Sequence, residues 1–178
     1  MSEQGTEAKA RREQVLDPGF MEGLEDLSLE ELRGRRDQAL AEREFQSYLR
    51  RLVQVRFDVL AAERERRRSG AASAPLVDRL KEVLSEGPQG VGRGEAPRLG
   101  LPQEDIDEAE RRAEDLFGAS GGGDPALLGD DELERALELL DRHERAVSAD
   151  RAAVLRVHDR LQEELKRRFR DDPSLALR

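Results

Sequence analysis

The sequence predicts an all-α protein: an antiparallel coiled-coil helical hairpin of two long helices, with shorter helices and flexible linkers between them. Aromatic residues make up only 3% of the chain, and a sizeable sheet needs aromatic and β-branched side chains. Ala, Leu, Glu and Arg dominate instead, which is typical of long helices. Two stretches of about 40 residues, each about 60 Å of helix, contain no proline.

The N-terminal part of the chain is predicted to be a disordered arm over residues 1–23. It is polar and is interrupted at residues 17–19 by Asp-Pro-Gly. The first long helical segment, residues 24–68, comes next. Within it, Ser28 followed three residues later by Glu31 forms a capping box, which marks the helix start.

The middle of the chain, residues 69–129, is predicted to be a flexible linker that contains short helices. Its glycine and proline residues concentrate in residues 87–102 and 118–125, which predicts loops there. Apolar spacing predicts a short amphipathic helix over residues 76–84 and an acidic one over residues 103–117.

The last long helix is predicted over residues 130–170, with a C-terminal tail over residues 171–178. Asp130 or Asp131 can cap its start, and Pro173 follows its end. Neither long helix carries enough apolar surface to stand alone, which favours a hairpin.

Both long helices repeat apolar residues at the spacing of a coiled-coil seam. The predicted seam residues of the first helix are Phe45, Tyr48, Leu52, Val55, Val59 and Ala62, with Leu49 and Leu60 beside them. Those of the last helix are Leu140, Val147, Val154, Leu161 and Leu165.

Charge and composition exclude several classes of function. The formal net charge of -9 argues against direct DNA binding. The absence of cysteine excludes disulfides and thiolate metal sites. No apolar run approaches the roughly 20 residues of a membrane span, and no signal sequence is recognisable, so we expect a cytoplasmic protein. No nucleophile, base and orienting acid can be assembled, and His143 and His158 lack metal-ligand spacing, so we expect neither an enzyme nor a metal site.

A polar pattern repeats in the two long helices beside the seam. In each, Arg follows Ser by three residues and Asp follows Arg by eight. We call these sets the first track and the second track; their members are Glu44, Ser47, Arg50, Gln54 and Asp58, and Glu144, Ser148, Arg151, Leu155 and Asp159. Each track is predicted to lie off the seam, on one face of its helix, with about 12 Å between its Arg and its Asp.

The chemistry of the tracks suits guanine and phosphate. Asp accepts hydrogen bonds from the Watson–Crick edge of guanine, and Arg binds guanine acceptors or phosphate bidentately. Ser and Gln can bond sugar or phosphate oxygens. The alternative is that both tracks are solvated faces of a plain coiled coil, because charge-rich helices produce such offsets freely.

At these residues the sequence resembles the RsiG family of cyclic di-GMP-binding anti-sigma factors. The motif of that family, on each of two antiparallel helices, is Glu-x3-Ser-x2-Arg-x3-Gln-x3-Asp. The chain departs from it twice: Arg43 stands at the Glu position of the first helix, with Glu44 one place late, and Leu155 stands at the Gln position of the last.

The resemblance implies that the ten track residues bind cyclic di-GMP, as two molecules with one motif each. It implies that the loaded protein binds a WhiG-type RNA polymerase sigma factor and represses transcription of sporulation genes. The alternative function is that of a ligand-free coiled-coil adaptor or scaffold protein.

Overall fold

The computed structural model describes residues 3–69, 100–119 and 124–177, and within these ranges the chain forms helices and no strand. The α-helices are α1 (Glu3–Leu16), α2 (Leu29–Ser69), α3 (Gln103–Ala119) and α4 (Asp130–Asp171). Short 3-10 helices cover Pro18–Met21, Pro125–Leu127 and Pro173–Leu177. The predicted all-α class is confirmed.

Helices α2 and α4 pack side by side in opposite directions. At one end of the pair, Arg67 Nη1 of α2 donates to Asp130 Oδ1 at the start of α4, over 2.7 Å. At the other end, Arg168 Nη1 near the end of α4 donates to the carbonyl of Leu27, just before α2, over 2.6 Å. The predicted antiparallel hairpin of two long helices is therefore confirmed.

The core between α2 and α4 matches the predicted seam fully on α4 and only in part on α2. All five predicted seam residues of α4 are buried. The buried line of α2 is Phe45, Leu49, Val53 and Leu60, whereas Val55, Val59 and Ala62 are only half-buried. Helix α2 packs against α3 as well as against α4. Its buried face therefore points between these two helices, and it is rotated from the predicted seam, which assumed a single partner helix.

The N-terminal arm departs from its prediction, because the structure describes it as the helix α1 followed by a 3-10 turn. Val15 is fully buried, and Phe20 joins it in the core formed with Leu32 and Leu161. The helix has almost no amphipathic periodicity, so a few individual contacts hold it rather than an apolar stripe.

The predicted capping box at the start of α2 is confirmed. Ser28 Oγ accepts from the backbone N–H of Glu31, and Glu31 Oε2 accepts from the backbone N–H of Ser28, over 3.2 and 2.8 Å. The cap of α4 is one residue earlier than predicted: Gly129 holds that place, and Glu132 accepts from its N–H. Asp130 is instead the first residue of α4, and its carboxylate accepts from Arg67.

The middle of the chain is described only in part. Helix α3 covers the acidic helix predicted over residues 103–117 and extends two residues further. The helix predicted over residues 76–84 lies outside the described residues, as does most of the loop predicted over 87–102.

Candidate functional site

The two tracks meet across the contact between α2 and α4. Arg50 Nε donates to Ser148 Oγ over 2.9 Å, and also to Glu144 Oε1 over 2.9 Å. In the other direction, Arg151 Nε donates to Ser47 Oγ over 3.0 Å. The sequence predicts one track along a face of each helix, and in the structure the arginine of each track reaches the serine of the opposite helix.

The two crossings relate the helices by an approximate two-fold axis. The arginine of each motif bonds the serine of the other, and both pairs have the same antiparallel register. One helical turn further along each helix, this register places Gln54 across from Glu144, and Leu155 across from Arg43. The site is therefore built from both helices, and each half of it combines the start of one motif with the end of the other.

Bonds within each helix orient the remaining track residues. On α2, Gln54 Nε2 donates to Asp58 Oδ1 over 3.0 Å, and Arg43 Nη2 donates to Glu44 Oε1 over 2.7 Å. The Ser47 hydroxyl donates to the carbonyl of Arg43, so its oxygen is turned to accept from Arg151.

On α4, the Ser148 hydroxyl donates to Glu144 Oε1 over 2.8 Å, so Glu144 holds both Ser148 and Arg50. Asp159 is 61% exposed, and its nearest described partner is the Nδ1 atom of His158 at 3.4 Å. Leu155 is half-buried and offers no hydrogen-bonding group.

The face that carries the tracks is partly exposed to solvent. The side chain of Arg50 is 43% exposed, and that of its partner Glu144 is 22% exposed. Helices α1 and α3 reach the long helices through other residues, such as Glu42, Tyr48 and Asp150. A guanidinium has several N–H donors, so an arginine bonded through Nε retains donors for phosphate or guanine.

A second charged group, which sequence reasoning missed, lies on the side of α2 that faces α1 and α3. Arg11 Nε donates to Glu42 Oε2 over 2.9 Å, and its two Nη atoms donate to the carboxylate of Asp105, each over 3.1 Å. Gln46 Nε2 donates to Glu42 Oε1 over 2.7 Å. We call these four residues the Arg11 cluster. No sequence signal pointed to it, since Arg11 falls in the arm predicted to be disordered.

The Arg11 cluster is packed as a structural element. Glu42 has no solvent exposure, and this burial raises its pKa despite the bonds from Gln46 and Arg11. The guanidinium carbon of Arg11 lies 5.6 Å from the ring centre of Phe45, and that of Arg112 lies 5.2 Å from it. The cluster joins α1, α2 and α3 through these bonds.

The part of the chain that the structure describes offers neither a metal site nor a membrane-spanning helix. No group of three or more His, Cys, Asp or Glu residues there could hold a metal ion. Of the four described α-helices, none has an apolar stretch long enough to cross a membrane.

Comparison with protein families identifies the stretch that carries the first track. The model of the RsiG-like family matches residues 18–84. This segment is RsiG-like. It includes all of α2, so the family resemblance that the first track suggested is confirmed there, and the second track lies outside the matched residues. No curated protein and no solved structure matches the chain.

Proposed function

We propose that this protein is an anti-sigma factor that binds cyclic di-GMP on its two tracks and, when loaded, sequesters a WhiG-type sigma factor. Sequestration keeps the sigma factor from core RNA polymerase in the cytoplasm and represses sporulation genes. The match to the RsiG-like family supports the anti-sigma role. The observation that supports the ligand is the reciprocal crossing of Arg50 to Ser148 and of Arg151 to Ser47 on one accessible face.

The side chains at the crossing suit a guanine nucleotide. The carboxylates of Asp58 and Asp159 can accept hydrogen bonds from the N–H groups of guanine, and a guanidinium can bond its acceptors, stack on its ring or hold phosphate. The approximate two-fold relation suits a ligand with internal symmetry, and two crossings provide for two molecules of cyclic di-GMP. The protein catalyses nothing in this scheme, because the nucleotide only changes its affinity for a partner.

The position of the tracks gives the nucleotide a route to the partner. A ligand bound on an accessible face of the hairpin forms part of the surface that the sigma factor meets. The nucleotide then tightens the complex, and by reciprocity the sigma factor tightens nucleotide binding by the same factor.

The test is an anisotropy titration of a labelled WhiG-type sigma factor with the purified full chain, with and without cyclic di-GMP. We expect the complex to tighten with nucleotide. Asp58→Ala combined with Asp159→Ala should remove this dependence and leave the helical content intact, since neither residue belongs to the buried core. Asp141→Ala, whose partner Arg145 is exposed, is the matched control and should behave as wild type.

Two results would contradict the proposal. Equal affinity with and without nucleotide would leave an anti-sigma factor without a switch. No sigma binding in either condition would favour the alternative function of a coiled-coil adaptor.

The adaptor alternative has one observation in its favour. Arg50, Ser148 and Glu144 already bond one another, as surface groups of a plain hairpin would. Equilibrium dialysis with cyclic di-GMP at low micromolar concentration separates the two, since an adaptor would retain none of it.

A further inference from the structure

The two departures from the family motif fall together once the helices are paired. Along the sequence each motif has one departure, Arg43 on α2 and Leu155 on α4. Across the crossing, the site divides into a complete half and a divergent half. The complete half consists of Arg50, Gln54 and Asp58 of α2 with Glu144 and Ser148 of α4. The divergent half consists of Arg151, Leu155 and Asp159 of α4 with Arg43 and Ser47 of α2.

The complete half is an ordered set of donors and acceptors. Arg50 is held by Glu144 and Ser148 together, each over 2.9 Å. Gln54 donates to Asp58 and orients its carboxylate. Side chains fixed in this way lose less conformational entropy when a ligand binds.

The divergent half lacks the counterparts of the Glu144–Arg50 and Gln54–Asp58 bonds. Arg151 bonds Ser47, and the position that corresponds to Glu144 holds a second guanidinium, Arg43. The only described carboxylate bonded to Arg43 is that of Glu44 on its own helix. At the position of Gln54, Leu155 offers no amide to orient Asp159, which is 61% exposed.

We propose that the two halves are unequal: the complete half binds the nucleotide tightly and selects guanine, whereas the divergent half holds phosphate with little selection of the base. This inference rests on the proposed binding of cyclic di-GMP. Two guanidinium groups near one site favour phosphate through charge, which any cyclic dinucleotide supplies. Guanine selection needs oriented hydrogen-bonding groups, and a half without Glu and Gln offers fewer of them.

The test is isothermal titration calorimetry of the full chain with cyclic di-GMP and with cyclic di-AMP. For cyclic di-GMP we expect two binding steps whose dissociation constants differ by about tenfold or more, the scale of one lost charge-assisted hydrogen bond. Cyclic di-AMP should bind only in the weak step. That step should also weaken more with added salt, since charge dominates it.

Two exchanges of residues locate the asymmetry. Arg43→Glu with Leu155→Gln should bring the weak step to within about threefold of the strong one. Glu144→Arg with Gln54→Leu should remove the strong step and leave two weak ones. Arg145→Glu, at a side chain that is 75% exposed and outside both tracks, is the charge control. Leu155→Gln alone is a milder variant that changes a single half-buried side chain, and circular dichroism checks the helical content of all the variants.

The outcomes separate this inference from the proposed function. Two equal steps in the wild type would overturn the inequality, and two unequal steps that neither exchange alters would show that the two halves do not cause it; either result leaves nucleotide binding standing. No binding of cyclic di-GMP by the wild type or by the Arg43→Glu, Leu155→Gln variant would overturn both.

Discussion

The Arg11 cluster and the crossed tracks are both networks of arginine, carboxylate and uncharged polar groups, yet they lie in different surroundings. In the cluster, Arg11 bonds two carboxylates, and one of them, on Glu42, has no solvent exposure. In the tracks, the side chain of Arg50 is 43% exposed and its carboxylate partner is 22% exposed. Similar chemistry is thus used once inside the molecule and once on its face.

This difference teaches which charged network can serve a ligand. Charges taken out of water must be fully paired within the protein, since an unpaired buried charge costs several kcal/mol. A cluster that is satisfied in this way holds helices together and has nothing left to offer. A half-exposed arginine that is bonded through one nitrogen has further N–H donors that face water. A nucleotide can replace that water and accept hydrogen bonds from these donors.

The largest expected effect tests the structural side of this comparison. Arg11→Met should lower the free energy of unfolding by about 3–5 kcal/mol, because it removes the guanidinium that bonds the buried carboxylate of Glu42. Part of this loss should appear as release of α1, which faster hydrogen exchange over residues 3–16 would reveal. Urea denaturation followed by circular dichroism measures the total.

The neighbouring arginine is the matched control. Arg12 pairs with Asp150, and both side chains are about a third exposed, so Arg12→Ala should cost about 1 kcal/mol or less. Equal losses in the two variants would mean that burial does not distinguish the cluster from a surface pair.

The next effect tests the ligand side. Arg50→Ala and Arg151→Ala should each weaken cyclic di-GMP binding at least tenfold, since each removes a charge-assisted contact that contributes about 1.5–3 kcal/mol. Neither should change the midpoint of unfolding by much, because both residues are half-exposed. Calorimetry and urea denaturation on the same samples check the two statements.

A loss of stability without a loss of nucleotide binding would contradict the assignment of the tracks to a ligand. If both arginine variants bind cyclic di-GMP as the wild type does but unfold at clearly lower urea, the tracks are structural ties between α2 and α4. Arg142→Ala, an exposed arginine of α4 outside the tracks, should change neither quantity.

The elements that could be predicted from the sequence are those set by local physics. Composition and the absence of proline gave α2 and α4, and the pairing of Ser28 with Glu31 gave the start of α2. The ten track residues came from spacing alone, and the structure brings their arginines and serines together. Their role as ligands stays a prediction.

The elements that could not be predicted depend on tertiary contacts. Helix α1 is held by single anchors such as Arg11 and Val15, which give no periodic signal. The meeting of the tracks depends on the register between α2 and α4, and an angle measured around one helix carries no information about where its partner lies. The sorting of Arg43 and Leu155 into one half depends on the same register.

The smallest expected effect extends the comparison to the ends of the hairpin, where two carboxylates behave oppositely to Glu42. Hydrogen bonds from Arg66 and Arg67 lower the pKa of Glu63 from 4.5 to about 2, and those from Arg167 and Arg168 do the same for Glu164. Such a pair stabilises the protein above pH 4.5, and this contribution is lost as the pH falls from 4.5 towards 2.

Glu42 has the opposite sign. Because burial raises its pKa, its contribution to stability falls as the pH rises above the ordinary value of 4.5. Glu63→Gln with Glu164→Gln should therefore reduce the loss of stability between about pH 5 and pH 3. The reduction should be about 1 kcal/mol or less for each carboxylate, since one of its two arginine partners is solvent-exposed. Glu42→Gln should leave that loss as large or larger. The urea midpoints of each variant at about pH 5 and pH 3 measure these losses of stability. If the double variant loses as much stability as the wild type on acidification, the arginines at the ends of the hairpin do not hold these carboxylates ionised.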